Sequence, residues 1–185
     1  MSQDRWPAQL KSHFALAALA ASRAGFAADV QTTLLHIGEE HAVVLSGPGD
    51  EPAVAQQLDL GRARIARDYF HHDPPTSHEI ERAIDFAEDE IMRLDKPADV
   101  ASTLWSTSAA LQTWAAVAGP SMPIEAVEQW FQRLASVALG QPGAMRGLPP
   151  GGEAAATLLV LREFMHHRSH ALLIAIEAPA DTAPG

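Results

Sequence analysis

Three β-prone runs follow one another between residues 32 and 60, and their succession constrains the fold more than any other feature of the chain. Thr32–Ile37 and His41–Ser46 are separated only by Gly38-Glu-Glu40, the pattern of a β-hairpin. Gly47–Pro52 supplies a second, longer turn, and Gln56–Leu60 reads as the third strand. After that point the pattern changes to strands alternating with helices. Arg62–Tyr69 reads as a short helix stopped ahead of Pro74, since the residue before a proline avoids helical geometry. Thr76 or Ser77 caps the next helix, with Glu79 favouring its N-terminus. That helix carries Ile80, Ala83, Ile84, Ala87 and Ile91 on one face.

The rest of the chain continues the alternation. Asp99–Trp105 is a fourth strand candidate, leading through Ser106-Thr-Ser108 into a helix over Ala109–Val117. Gly119–Pro123 breaks the chain, and a helix follows over Ile124–Leu139. A glycine- and proline-rich loop, Gly140–Gly152, precedes a long helix ending near His170. Ala171–Ile176 reads as a last buried strand. Ahead of all this, Ala8–Arg23 is rich in alanine and leucine, has Pro7 at its start and Gly25 at its end, and reads as a helix. Three strands and then alternating strands and helices describe an α/β sandwich with a mixed sheet and helices on both faces. A single domain is expected over residues 1–177, with 178–185 a flexible tail.

Composition narrows the function. The chain has 185 residues, a formal net charge of −10 and a pI near 5.2. Such a surface repels nucleic acid and anionic membrane, so neither is expected as a partner. With no cysteine, disulfides, thiol catalysis and thiolate metal sites are excluded. The alanine-rich run Ala15–Ala28 is interrupted by Ser22 and Arg23 and follows no strongly basic segment. It suits an amphipathic helix better than a signal peptide, and a cytoplasmic location is expected.

Four segments together resemble the exopolyphosphatase and guanosine-pentaphosphate phosphohydrolase (Ppx/GppA) family, specifically its second half. They are Thr33–Gly38, Leu58–Thr76, Trp105–Ala116, and Pro123–Leu134 with Gly147-Leu-Pro-Pro-Gly151 and Leu158–Leu161. The resemblance implies a ribonuclease-H-like domain, one half of the actin, Hsp70 and sugar-kinase superfold. It also implies where phosphate chemistry would sit. His36 stands at the family's aspartate position, and Gly38, Glu39 and Glu40 stand in its glycine-rich phosphate loop. The catalytic glutamate falls near Val43, and a further glutamate pair falls within Ser12–Leu16, where no acid is present. Gly152-Glu-Ala154 replaces an Arg-Ala-Asp. At the second phosphate turn, Ser106, Thr107 and Ser108 replace glycines but keep hydroxyl donors ahead of a helix N-terminus.

Two functional expectations follow. In the first, the domain is a non-catalytic relative with no catalytic residue and no cofactor, acting in binding or regulation through a homodimer or a protein partner. In the second, it is a diverged phosphohydrolase using magnesium on polyphosphate or guanosine pentaphosphate. Ser106, Thr107, Ser108 and Arg62 would then bind phosphate, while Glu39 and Glu40 would serve magnesium or act as base. This requires Glu39, Glu40 and Ser106–Ser108 to converge. Arg62, Arg64 and Arg67 form either an anion-binding face or, as the preferred reading, ion pairs with Asp59, Asp68 and the acidic helix Glu79–Glu90. A histidine-based metal site is a third reading. It would draw on His71 and His72, or on His166, His167 and His170, whose i, i+4 pair would share a helix face.

Overall fold

The computed structural model describes residues 8–25, 31–95 and 103–177. β1 (Thr32–Ile37) and β2 (Ala42–Gly47) form the expected hairpin, with Leu34 opposite Leu45 and Leu35 opposite Val44. β3 (Val54–Leu58) adds antiparallel to β2. β4 (Leu104–Ser106) lies parallel to β1 on its other side, and β6 (Leu172–Ala175) lies parallel to β4. The edge strand β5 (Ser121–Pro123) runs antiparallel to β6, giving a six-stranded mixed sheet in the order β3-β2-β1-β4-β6-β5.

Period-2 alternation sorts the strand residues onto two unequal faces. Leu34, Val43, Leu45 and Trp105 point to one side, where α1 (Ala8–Arg23) covers them with Leu10, Phe14, Ala17 and Ala21. Leu35, Val44, Leu104 and Leu173 point to the other. There they meet the larger core built with α2 (Arg62–Tyr69), α3 (Ser77–Met92), α4 (Ala109–Ala118), α5 (Ile124–Ala138) and α6 (Gly152–His167). The helix α6 is central: Ala155 to Leu161 are all buried, as are Glu163, Phe164 and Met165. A helix buried on nearly all sides needs neighbours all round, and α2, α3 and α5 supply them. Trp105, Trp114 and Phe131 are core residues, and Trp130 packs on Trp114 with ring centroids 5.3 Å apart.

Several boundaries differ from expectation for identifiable reasons. β3 ends at Leu58, two residues early, because the Asp59 N–H leaves the ladder for Glu90 Oε2 at 3.0 Å. Ser106 completes β4 instead of opening the turn, and the beginning of the expected Asp99–Trp105 strand lies outside the described residues, as does the expected tail. Gly119–Pro123 holds β5, whose Pro123 is tolerated because the strand is an edge. The loop Gly140–Gly152 contains a 3-10 turn over Pro142–Met145. α6 stops at His167 because the chain turns through Ser169 at φ 57°, so His166 and His170 do not share a helix face.

Candidate functional site

The turn between β1 and β2 packs against the start of α2. Gly38 N–H donates to the His41 carbonyl at 2.9 Å, closing the hairpin. The exposed carbonyls then accept from α2: Arg62 N–H bonds Gly38 O at 3.0 Å, while the N–H groups of Ala63 and Arg64 bond Glu39 O at 3.0 and 3.1 Å. The first N–H groups of a helix are its anion-binding equipment. In α2 they are occupied by the protein's own backbone. The contact is tight enough to demand Gly61, where a Cβ would lie 2.2 Å from the Glu39 carbonyl oxygen.

Side chains repeat the pattern. Arg62 reaches Glu153 at 2.9 Å and Glu39 at 3.2 Å. Arg67 grips Glu40 through two bonds of 2.8 and 3.1 Å and also meets Asp68. Arg67 holds the Glu40 carboxyl below the usual range, and the carboxylates of Glu40 and Asp68 raise the guanidinium in turn. Arg64 pairs with Asp59 at 3.0 Å and Asp68 at 3.8 Å. The preferred pairing of the three arginines is therefore seen with Asp59 and Asp68. Glu39, Glu40 and Glu153 complete it in place of the acids of α3.

The second turn lies beside the first, because β1 and β4 are parallel neighbours. Ser106, Thr107 and Ser108 are buried, with exposures of 0%, 4% and 0%. Ser108 Oγ donates to the Ile37 carbonyl at 2.7 Å, and Ser106 Oγ accepts from Ser108 N–H at 3.1 Å. Thr107 Oγ1 is 2.8 Å from His13 Nδ1 on α1. Each hydroxyl thus has an internal partner. His36 sits next to this cluster, its ring centroid 6.2 Å from that of His13 and its buried Nδ1 without a hydrogen-bond partner. Burial, His13 and Arg62 together lower its pKa, which favours the neutral imidazole. The end of β1 and the Ser106–Ser108 turn do meet at one end of the sheet, at the Ser108–Ile37 bond. A cavity of about 170 Å³ lies elsewhere, at the opposite end of β1 by Thr33, Ser46, Asp95, Arg168 and His170.

The histidine groups have separate surroundings. His72 Nδ1 lies 2.9 Å from Glu79 Oε1, which also accepts the His71 N–H at 2.9 Å, so this pair supports the start of α3. His170 is buried and stacks on Phe164 at 5.7 Å, whereas His166 is exposed. Only His167 of that group enters a ligand-like cluster, with Glu163 one turn before it and Glu88 across on α3. The i, i+4 spacing of Glu163 and His167 is the one local sequence signal that could have found it, and the expected histidine set lacks Glu163. Glu88 comes from another element, and no local pattern announces that meeting.

No sequence-family model matches this chain, and no curated protein matches it. Solved structures do. An Aquifex aeolicus Ppx/GppA family member superposes with a TM-score of 0.70 at 17% identity, covering 92% of this chain and 58% of its own. An exopolyphosphatase-like protein gives 0.65 at 14% identity, with 93% and 63% covered. An exopolyphosphatase from Cytophaga hutchinsonii gives 0.59 at 15% identity, with 80% and 54% covered. The chain spans about three-fifths of the length of the structures it matches first. Among the described residues no helix is long and apolar enough to cross a membrane. The sheet order, the helices on both its faces and these superpositions agree on the fold: an α/β domain of the ribonuclease-H-like kind, built like part of a Ppx/GppA enzyme.

Proposed function

We propose that this chain is a non-catalytic domain of the Ppx/GppA fold that works by binding, through a second copy or a protein partner, and does not hydrolyse phosphate. One observation carries this reading. The groups that phosphate or magnesium would need at the paired turns are already bonded to the protein itself: Glu39 and Glu40 to Arg62 and Arg67, Ser106 and Ser108 to backbone. A phosphate entering there must first separate two ion pairs and displace carbonyls from the start of α2. It then meets carboxylates that repel it.

The second reading is a diverged phosphohydrolase using magnesium on polyphosphate or guanosine pentaphosphate. It is favoured by the likeness to exopolyphosphatase structures and by the adjacency of the two turns. Here Arg62 would release Glu39 to take phosphate, freeing the carboxylates for magnesium. Orthophosphate release from polyphosphate and guanosine pentaphosphate, with and without magnesium, separates the two. The expected rate equals the protein-free blank, in wild type and in a Glu39→Gln, Glu40→Gln double variant alike. Magnesium-dependent release that this double variant loses would install the hydrolase reading instead. Light scattering across a concentration series then shows whether a second copy is the partner.

A further inference from the structure

α3 and α6 bring together three side chains that the turn chemistry does not use. His167 Nε2 lies 3.3 Å from Glu88 Oε1 and 3.5 Å from Glu163 Oε2, and the ligand atoms of all three residues fall within 4.8 Å of one another. Glu163 is wholly buried, at 0% exposure, yet its Oε2 makes no hydrogen bond and has only this longer approach of His167, whose buried Nε2 atom makes no hydrogen bond either. A buried carboxylate oxygen without a hydrogen bond is costly, and a cation bound between it and the imidazole would relieve that cost. The other oxygen of Glu163 is already held by Arg162 at 2.5 Å, and Arg162 is in turn fixed by Glu128 at 3.1 Å. That chain of contacts aims Oε2 at His167.

We propose that Glu88, Glu163 and His167 bind a divalent zinc-type metal ion that ties α3 to α6. Spacing supports tetrahedral coordination. Metal–ligand bonds of about 2.0–2.2 Å place tetrahedral ligands about 3.3–3.6 Å apart, against about 2.8–3.0 Å for octahedral magnesium. The two separations from His167, 3.3 and 3.5 Å, fall in the first range. Charge agrees as well: burial pushes the Glu163 carboxyl up, and with that group ionised the carboxylates of Glu88, Glu128 and Glu163 against Arg162 leave two negative charges, the complement of a dication. The imidazole selects a borderline metal over magnesium or calcium. The Glu88 side chain is 45% exposed, so the ion has an entry path on that side, where water can serve as fourth ligand. Arg162 acts behind Glu163 as an orienting partner. The site lies some ten residues along α6 from Glu153, about 15 Å at helical rise, and so is separate from the paired turns.

The test is calorimetric titration of the metal-stripped full chain with zinc and, separately, magnesium, alongside the absorption spectrum of the cobalt-loaded protein. One zinc per chain, no magnesium binding and a tetrahedral cobalt spectrum are expected. Glu88→Gln and His167→Gln should each weaken zinc at least tenfold, and Glu163→Gln at least a hundredfold, while a His71→Ala, His72→Ala control binds as wild type. Glu88 is half exposed, so its variant folds whatever becomes of the others, and the far-ultraviolet circular dichroism of each apo variant checks this. Zinc binding unchanged by Glu88→Gln and His167→Gln would overturn the proposal. So would the absence of stoichiometric binding, which would leave the cluster as a carboxylate–imidazolium contact.

Discussion

Glu79 concentrates more hydrogen bonds than any acid of the paired turns. Its carboxylate takes the N–H groups of Thr76 at 2.8 Å and His71 at 2.9 Å, with the His72 ring beside it, while Thr76 Oγ1 accepts the Glu79 N–H. This is a reciprocal capping box. Burial by itself would raise the Glu79 carboxyl, but these donors hold it down at about 2. An acid whose folded pKa is depressed stabilises fully above its unfolded value, near 4.5, and progressively less as pH falls toward 2. Glu79→Gln should therefore cost roughly 1–2 kcal/mol at neutral pH and flatten the acid limb of stability between those values. Urea titrations of both proteins from pH 7 to pH 2 measure this. An acid limb of unchanged steepness would place the linkage elsewhere. Ser108 works on the same scale: a hydroxyl positioned for an anion in the sequence is turned inward to tie β4 to β1.

At the scale of elements, legibility followed the range of the determining interactions. α1, β1 and α2 have the bounds that their local patterns indicate, because caps, prolines and hydrophobic period are written within a few residues. β5 was not legible, since Ser-Met-Pro has little strand propensity and becomes a strand only by lying against β6. The same holds for the site. Arginine-to-acid pairing was readable as a tendency, but Arg62 finds Glu39 across 23 residues and Arg67 finds Glu40 across 27 only once the hairpin folds onto α2. Gly61 marks that junction. Its φ of −75° is open to any residue, so the requirement is space alone. Gly61→Ala should destabilise by about 2–4 kcal/mol, as backbone has to move to admit the methyl group. Thermal and urea denaturation check the loss, and a variant as stable as wild type would mean that the junction is loose.

The whole molecule is lopsided about its sheet. Five helices, α2 to α6, cover one face; among the described residues only α1 covers the other. Cooperative units with fewer buried partners open at lower free energy. Amide exchange should therefore be faster in α1 than in α6, with α1 opening below the global unfolding free energy and α6 exchanging only through it. Equal protection of both helices would show that the sheet and both its covers melt as one. When α1 lifts, Leu34, Val43, Leu45 and Trp105 become a bare apolar surface, and the sheet still ends in the open edge of β3. Such a species is native everywhere else and yet adhesive. The shelf life of the protein is then set by how often one helix lets go, well before the fold itself is lost.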